Sequence, residues 1–277
     1  MYDLNNLLLT LLIYIGSFSA GLLGSLTGLG GGVIVVPMLT VLFGVDIHFA
    51  AGASLISVIA TSSGAASAYV KEGYSNIRIG MFLEIATTIG AVIGATIVGL
   101  ISVNIVSVIF ALILVYSAVT TFIKKDEHIL HEPDTIAEKL KLNGNYPNGN
   151  TLVSYNVQNV PQGFIMMIFA GVLSGLLGIG SGAAKVMAMD QIMKIPFKVS
   201  TTTSNFMIGV TAAASAGIYL KNGYIHAALV MPVMLGVLTG AFIGAKILTF
   251  TSSKSLKIVF SVIILVMAYE MLMNGLK

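Results

Sequence analysis

The chain has 277 residues, of which 56% are hydrophobic and only 9% are charged, and its mean hydropathy is +0.96. A water-soluble domain could not cover so much apolar surface, so the composition indicates a protein that lives in a lipid bilayer. The net charge of +3 comes without a basic cluster interleaved with aromatic residues, which excludes nucleic acid as the expected partner. The absence of cysteine excludes disulfides, thiolate metal sites and cysteine nucleophiles.

Apolar runs follow one another along the chain and fall into two similar sets on either side of a polar segment. Most are long enough for a spanning helix, which needs about 20 apolar residues. The second run of each set holds about a dozen residues, so we expect half-helices, re-entrant segments or strongly tilted pieces there. The runs are 7–29, 33–44, 49–70, 79–101 and 105–123, then 163–179, 182–193, 199–220, 225–248 and 255–274.

The two sets of runs form an internal repeat with an offset of 150 residues. Residues 21–32 (GLLGSLTGLGGG) align with residues 171–182 (GVLSGLLGIGSG), and residues 90–95 (GAVIGA) align with residues 240–245 (GAFIGA). Small residues recur in any membrane helix because they allow close packing, but close packing alone does not predict a constant spacing. Each repeat therefore holds a glycine-broken helix pair followed by three spanning helices.

The placement of lysine and arginine indicates how the repeats are oriented. Inverted repeats put eleven of these side chains on the cytoplasmic side and two outside, whereas parallel repeats give eight against five; cytoplasmic flanks carry the positive excess. We therefore predict an all-α polytopic membrane protein with two inverted-topology repeats and both termini outside. The first repeat covers residues 1–123, a flexible cytoplasmic linker with one amphipathic turn at 134–142 covers 124–162, and the second repeat covers 163–277.

Glycines lie at both points where a long apolar run stops and a short one begins. The first N–H groups of each short helix lack partners within the helix, and the positive end of the helix dipole attracts anions. Inverted repeats with broken helices are typical of secondary transporters that bind substrate near the midplane. The alternative is that the glycines only permit a sharp turn or tight packing. The substrate-binding candidates at the two breaks are Gly30, Gly31, Gly32, Gly180, Ser181 and Gly182.

Lys185 is the sharpest single candidate, because it lies in the second short run at a position where the first repeat has Val35. An ammonium at membrane depth is costly unless it is paired or serves a pathway. Asp190 is a candidate partner, but five residues place it about 140° around a helix, and Lys194 is better placed for Asp190. We therefore expect incomplete local neutralisation of Lys185; the alternative is that Lys185 snorkels to a headgroup or a vestibule.

Polar side chains on the helices after the breaks complete the predicted site, namely Ser54 in the first repeat and Thr203, Ser204 and Asn205 in the second. Their hydroxyl and amide groups either donate to a bound oxyanion or bond to neighbouring helices. Glu84 lies about two turns inside its helix, where we expect an interfacial position. Glu84 and Asp190 are the candidates for proton coupling. The histidines are too few for a convincing metal site, so we expect no metal and no cofactor.

Two other classes of function stay open. An intramembrane hydrolase would use Ser181 as nucleophile with His226 or His48 as base, although no GxSG arrangement occurs. An ion channel would favour rings of carbonyls or like charges built by oligomer symmetry, which a repeated single chain does not need.

The paired glycine motifs resemble those of the TauE/SafE family of sulfite and organosulfonate exporters. The first is residues 21–39 (GLLGSLTGLGGGVIVVPML), and the second is residues 171–182. The resemblance implies a permease for small sulfur-containing anions in a prokaryotic cell membrane. The second copy departs from the first, with Ser181 in place of the middle glycine and Met187 in place of Pro37. The expected partners are a small anionic substrate and the bilayer, and a homodimer is left open.

Overall fold

The computed structural model describes residues 2–27, 31–71, 75–122, 134–148, 151–247, 262, 265–273 and 275–276. Its helices are α1 (Tyr2–Thr27), α2 (Gly32–Phe43), α3 (Ile47–Lys71), α4 (Ile77–Ile97), α5 (Val103–Phe122), α6 (Thr135–Lys139), α7 (Val160–Leu177), α8 (Gly182–Met187), α9 (Phe197–Lys221) and α10 (Ala227–Ile247). A 3-10 turn at Val98–Leu100 extends α4, and a π-helical turn at Ala188–Ile192 extends α8. The predicted last run lies largely outside the described residues, and residues 265–273 are helical.

The helices have the length and surface of membrane spans. Within the described residues, Leu7–Ser25, Ile77–Leu100, Val160–Leu177 and Ala227–Gly244 are long and apolar enough to cross a bilayer. In α4 the exposed face carries Ile85 and Ile89, while Leu83 on the opposite face is fully buried. A helix that is apolar on its exposed face as well as its buried one suits a lipid environment. The protein is therefore a helical, multi-pass membrane protein.

The helix boundaries repeat at the same offset as the sequence. The first and last residues of α3 (47 and 71) are each 150 residues before those of α9 (197 and 221). The same offset relates α4 (77 and 97) to α10 (227 and 247). The short second helix is also repeated, since α2 has 12 residues and α8 with its π turn covers 182–192. The short runs are therefore short helices that follow a glycine break, as the sequence predicts.

The two helices that follow the breaks, α3 and α9, pack side by side and antiparallel. A Cβ on Gly52, near the start of α3, would overlap the carbonyl oxygen of Tyr224, just beyond the end of α9. After the other end of α3, the Asn76 backbone N–H donates to Thr203 near the start of α9, at 3.0 Å. Glycine at these contacts lets the backbones approach closely.

Glycines also hold together two parallel helix pairs, α4 with α7 and α1 with α10. A Cβ on Gly90 of α4 would overlap the carbonyl oxygen of Ile168 on α7. A Cβ on Gly240 of α10 would overlap the carbonyl oxygen of Phe18 on α1 in the same way. Gly90 corresponds to Gly240 and Phe18 corresponds to Ile168 at the 150-residue offset, so the two helix pairs use the same packing.

The linker is more ordered than the sequence predicts. After α6, β1 (Gly144–Asn148) pairs antiparallel with β2 (Thr151–Tyr155), with Tyr146 opposite Val153. The predicted turn at 134–142 is confirmed by α6. The prediction of a flexible segment is wrong for the hairpin residues, and the all-α description needs this hairpin added. Strand-forming side chains come mainly from β2 (TLVSY), whereas β1 (GNYPN) has Tyr146 as its one residue of high strand propensity.

The hairpin docks on the turn between α3 and α4. The Asn76 amide donates to the Tyr155 hydroxyl at 2.8 Å and to the Leu142 carbonyl at 2.9 Å. Burial raises the pKa of Tyr155 to about 12, although the hydrogen bond from Asn76 acts in the opposite direction. Asp134 accepts from the Val160 N–H at the start of α7. The linker thus contacts both the start of α4 and the start of α7, which lie on the same side of the helix bundle.

Candidate functional site

The first glycine break brings the start of α2 against the middle of α3. Gly31 caps α2, and the first eight residues of α2 are buried. A Cβ on Gly32 would lie 2.7 Å from Ser54 Oγ and 2.9 Å from a methyl carbon of Val58. A side chain therefore does not fit at Gly32, and the helix backbone lies directly beside the Ser54 hydroxyl. Gly30 of this break lies outside the described residues.

The second break is a left-handed turn. Gly178, Gly180 and Ser181 have φ values of +68°, +71° and +47°, a region in which glycine is at ease and serine is uncommon. A Cβ on Gly178 would lie 2.5 Å from the carbonyl oxygen of Ala51. Gly182 then begins α8 and is buried. This break also packs on α3, a few residues before Ser54.

The two breaks touch each other. A Cβ on Gly32 would lie 3.3 Å from the Cα of Ile179, which belongs to the second break. Gly180 contacts both long helices, because its Cβ would lie 2.6 Å from Ile208 of α9 and 3.3 Å from Val58 of α3. The breaks and the two helices that follow them therefore share one region of the protein.

The predicted hydroxyl groups differ in their partners. Ser54 Oγ and Ser181 Oγ are buried and make no hydrogen bond within the described part of the chain. Ser204 Oγ donates to the Gly182 carbonyl at 3.3 Å, across the second break. Thr203 instead accepts from Asn76, directly before α4, and Asn205 is half-buried. Of the predicted hydroxyls, those of Ser54 and Ser181 thus have no hydrogen-bond partner among the described residues, whereas Thr203 bonds to the segment before α4.

Lys185 is fully buried, and its counter-ion comes from the other repeat. Its Nζ lies 3.9 Å from Glu84 Oε2 on α4. It also donates to the Thr211 hydroxyl at 2.5 Å, and that hydroxyl donates to Glu84 Oε1 at 2.6 Å. A lysine without access to water cannot snorkel. The counter-charge of Lys185 thus comes from Glu84 on another helix, a partner that the sequence alone did not indicate.

Glu84 lies in the interior of the helix bundle. Only 8% of its surface is exposed, because α7 and α9 both pack on α4. Burial among helices does not measure depth in the membrane, so the expected interfacial position stays a prediction. Thr88, one turn further along α4, donates to Glu84 Oε1 at 3.3 Å, and Thr87 lies 3.5 Å from the Thr211 hydroxyl.

Sequence reasoning missed these threonines. Thr87 and Thr88 follow Glu84 by three and four residues, the spacing that places side chains on one helix face. That spacing was a usable signal for a stabilised carboxylate. Thr211 had no such signal, because its role depends on how α9 crosses α4. Asp190, the second predicted carboxylate, is buried in the π-helical turn.

The charged pair joins the two repeats and is not duplicated by the 150-residue offset. At the offset of 150 residues, Lys185 corresponds to Val35, Glu84 to Met234 and Thr211 to Thr61. A buried ammonium and two free hydroxyls beside glycine-lined backbone are groups that hold an oxyanion. The histidines of the hydrolase alternative lie elsewhere: His48 Nδ1 bonds to Asp46 and Nε2 to the Val98 carbonyl, whereas Ser181 Oγ bonds to no described residue.

Relatives of the chain are membrane transporters by name. It is 29% identical over 237 residues to the probable membrane transporter protein YdhB of Bacillus subtilis, which covers 85% of this chain and 89% of that protein. It is 26% identical over 264 residues to the probable membrane transporter protein YunE of the same organism, with 93% and 95% covered. A probable membrane transporter protein of Methanocaldococcus jannaschii is 28% identical, with 96% of each chain covered. No solved structure matches the chain.

The model of one protein family, described as sulfite exporter TauE/SafE, matches residues 13–271. The match spans both glycine breaks, the linker and both members of the Lys185–Glu84 pair. The family and the names of the relatives point to a membrane transporter rather than an enzyme. The chain belongs to the TauE/SafE sulfite exporter family.

Proposed function

We propose that the chain is a secondary transporter of a small sulfur-containing anion, such as sulfite or an organosulfonate. The observation that carries the proposal is Lys185, a fully buried lysine one turn after a glycine break in a membrane protein. Ionisable groups at membrane depth are expensive and are typical of substrate and ion pathways. The family description, sulfite exporter, supports sulfur oxyanions as the class of substrate. No phosphate-binding GxxxxGK[ST] loop occurs in the sequence, so we assign no ATP-driven step.

The proposed site lies between the two breaks, on the shared region of α2, α3, α8 and α9. The Ser54 hydroxyl beside Gly32 and the Ser181 hydroxyl before Gly182 would donate to the anion, and Lys185 would supply the positive charge. Gly32 and Gly180 keep side chains out of this region, so that backbone can approach the anion closely, whereas a side chain on Gly31 would meet α1 and α10 instead. Ser204 and Asn205 would form its wall on α9, with Thr203 one residue nearer the helix start.

Inverted repeats would supply the alternating access that a transporter needs. The packing of α3 on α9 supports inversion, because these helices correspond to each other and run antiparallel. A two-fold axis that exchanges two antiparallel helices must be perpendicular to both helix axes. Because these helices would span the membrane, that axis would lie in the plane of the membrane. The two halves would then have opposite orientations, with the site near the axis.

The orientation follows from the positive charges. The linker docks at Asn76, so Arg78, Lys139 and Lys141 lie at one end of the bundle, and Lys221 lies at the other end of α9. Lysine and arginine are enriched on the cytoplasmic side of membrane proteins. We assign the linker to the cytoplasm and the α9–α10 turn to the outside of a cell membrane.

Anion flux into liposomes tests the proposed function. Purified protein is reconstituted and challenged with sulfite, isethionate, sulfoacetate, sulfate and chloride, and uptake is followed as exchange against the same unlabelled anion. The proposal expects saturable exchange of one or more of the sulfur anions and competition among them. Absence of exchange for every anion, together with cation conductance, would favour a channel instead.

A further inference from the structure

The ion pair between Lys185 and Glu84 is incomplete. The 3.9 Å between Nζ and Oε2 is too long for a hydrogen bond. Oε2 is buried and bonds to no described residue, although Oε1 accepts from Thr211 and Thr88. Each group is therefore held beside the other, with one carboxylate oxygen and part of the ammonium left without a hydrogen bond among the described residues.

Such a pair contributes little to the free energy of unfolding. Burying two charges costs more than their attraction returns unless the remaining lone pairs and protons are also satisfied. Apolar residues fill the corresponding places of the two repeats, where Val35 stands in the first and Met234 in the second. The fold can therefore be built without the pair, and the loose contact suits a partner that leaves.

We propose that Glu84 is an internal anion that holds Lys185 until substrate arrives, and that the substrate anion replaces it while Glu84 takes up a proton. The proposal rests on the proposed transport of a small anion and adds the ion that moves with it. At rest the pair carries one negative and one positive charge. With substrate bound, Glu84 is neutral, and Lys185 and the anion carry the opposite charges.

The proton and charge balance is simple. One proton moves from water on the open side to Glu84 Oε2, and one monovalent anion moves from the same side to Lys185 Nζ. No covalent bond to the anion forms or breaks. Release on the other side returns both to water and restores the ion pair. The buried site stays neutral in both states, which avoids an isolated charge in the membrane, and one proton crosses with each anion.

The surroundings of Glu84 leave Lys185 as its counter-charge. Its other hydrogen-bond partners, Thr88 and Thr211, contribute uncharged hydroxyl groups. The facing helix α7 has no titratable residue, and the lysines of α9 lie at its two ends, at positions 198 and 221. Asp190 lies on the π-helical turn after α8, five residues beyond Lys185.

Proton movement during anion uptake tests the coupling. Liposomes loaded with a pH-sensitive dye are given isethionate, which holds no titratable proton near neutral pH, so any acidification accompanies the protein's own transport. We expect one proton for each isethionate with the parent protein. For Glu84→Gln we expect isethionate entry at a changed rate with no proton, and a response to a potassium diffusion potential that the parent lacks. Glu138→Gln, on the exposed surface of α6, should keep the parent ratio.

The possible failures are distinguishable. Isethionate entry without protons in the parent, or an unchanged proton ratio in Glu84→Gln, overturns the coupling and leaves anion transport standing. If the parent moves none of the anions in the panel, the proposed function itself fails. If sulfite alone moves, protons are counted against sulfite after subtracting its own buffering in protein-free liposomes, and the same ratios decide.

Discussion

Lys185 on α8 and Glu84 on α4 form an ion pair in which each charge comes from a different repeat, with 3.9 Å between Nζ and Oε2. The Thr211 hydroxyl bridges them from a third helix, α9. The pair therefore ties together helices that the sequence separates by about a third of the chain. Removing one of the two charges should therefore change both stability and function, because it leaves the other charge buried without its partner.

Lys185→Met should destabilise the protein by about 3 kcal/mol, because it leaves the Glu84 carboxylate buried without its counter-charge. Thermal unfolding in detergent measures the effect. Combining Lys185→Met with Glu84→Gln removes both charges and should recover most of the loss. A double variant no more stable than the single one would contradict the pairing.

Gly90→Ala and Gly240→Ala should each lower the free energy of unfolding by about 1–3 kcal/mol through overpacking. In both, the new methyl group would overlap a carbonyl oxygen of the neighbouring helix, on Ile168 and on Phe18. Gly217→Ala is the matched control, since nothing lies within 4 Å of its Cβ position. A control as destabilised as the two variants would show that helix packing is not the cause.

The repeat and the helix boundaries could be predicted because hydrophobic runs and a constant offset report on local structure. The Glu84–Lys185 contact could not, since it depends on how α4, α8 and α9 cross. The local sequence around Glu84 indicates an interfacial carboxylate, and the local sequence around Lys185 indicates a lysine that its own helix neutralises incompletely. The hairpin was missed because Gly144, Asn145 and Pro147 are typical of loops. Its strand pairing is supported by a tertiary contact, the docking of Tyr155 on Asn76, which the local sequence does not show.

Tyr155 should make the linker sensitive to alkaline pH. Its pKa is raised from 10.0 to about 12 in the folded protein, so its stabilising contribution is complete below pH 10 and is lost as the pH rises through about 12. Carbon-13 NMR of labelled tyrosine should show a signal that titrates near this value. Tyr155→Phe should remove the signal and cost about 1 kcal/mol for the lost hydrogen bond, while Tyr146→Phe should retain it. A Tyr155 signal that titrates at the ordinary value would refute the docking.

Single-cysteine labelling tests the topology on this cysteine-free chain. Asn145 in the hairpin and Asn222 after α9 are both exposed, and they lie at opposite ends of the α3–α9 pair. In intact cells, a membrane-impermeant thiol reagent should modify Asn222→Cys and spare Asn145→Cys until the membrane is opened. Labelling of both positions from outside would rule out the assigned orientation.

Anion flux through the charge-neutral variant tests the central claim most directly. Lys185→Met combined with Glu84→Gln keeps the fold but removes the only full positive charge that we place at the site. The parent protein in liposomes should exchange a sulfur anion such as sulfite or isethionate, and the double variant should lose at least about tenfold in affinity, as expected for one charge-assisted hydrogen bond. Exchange in the double variant with unchanged affinity and rate would contradict the assignment of Lys185 to the transport site.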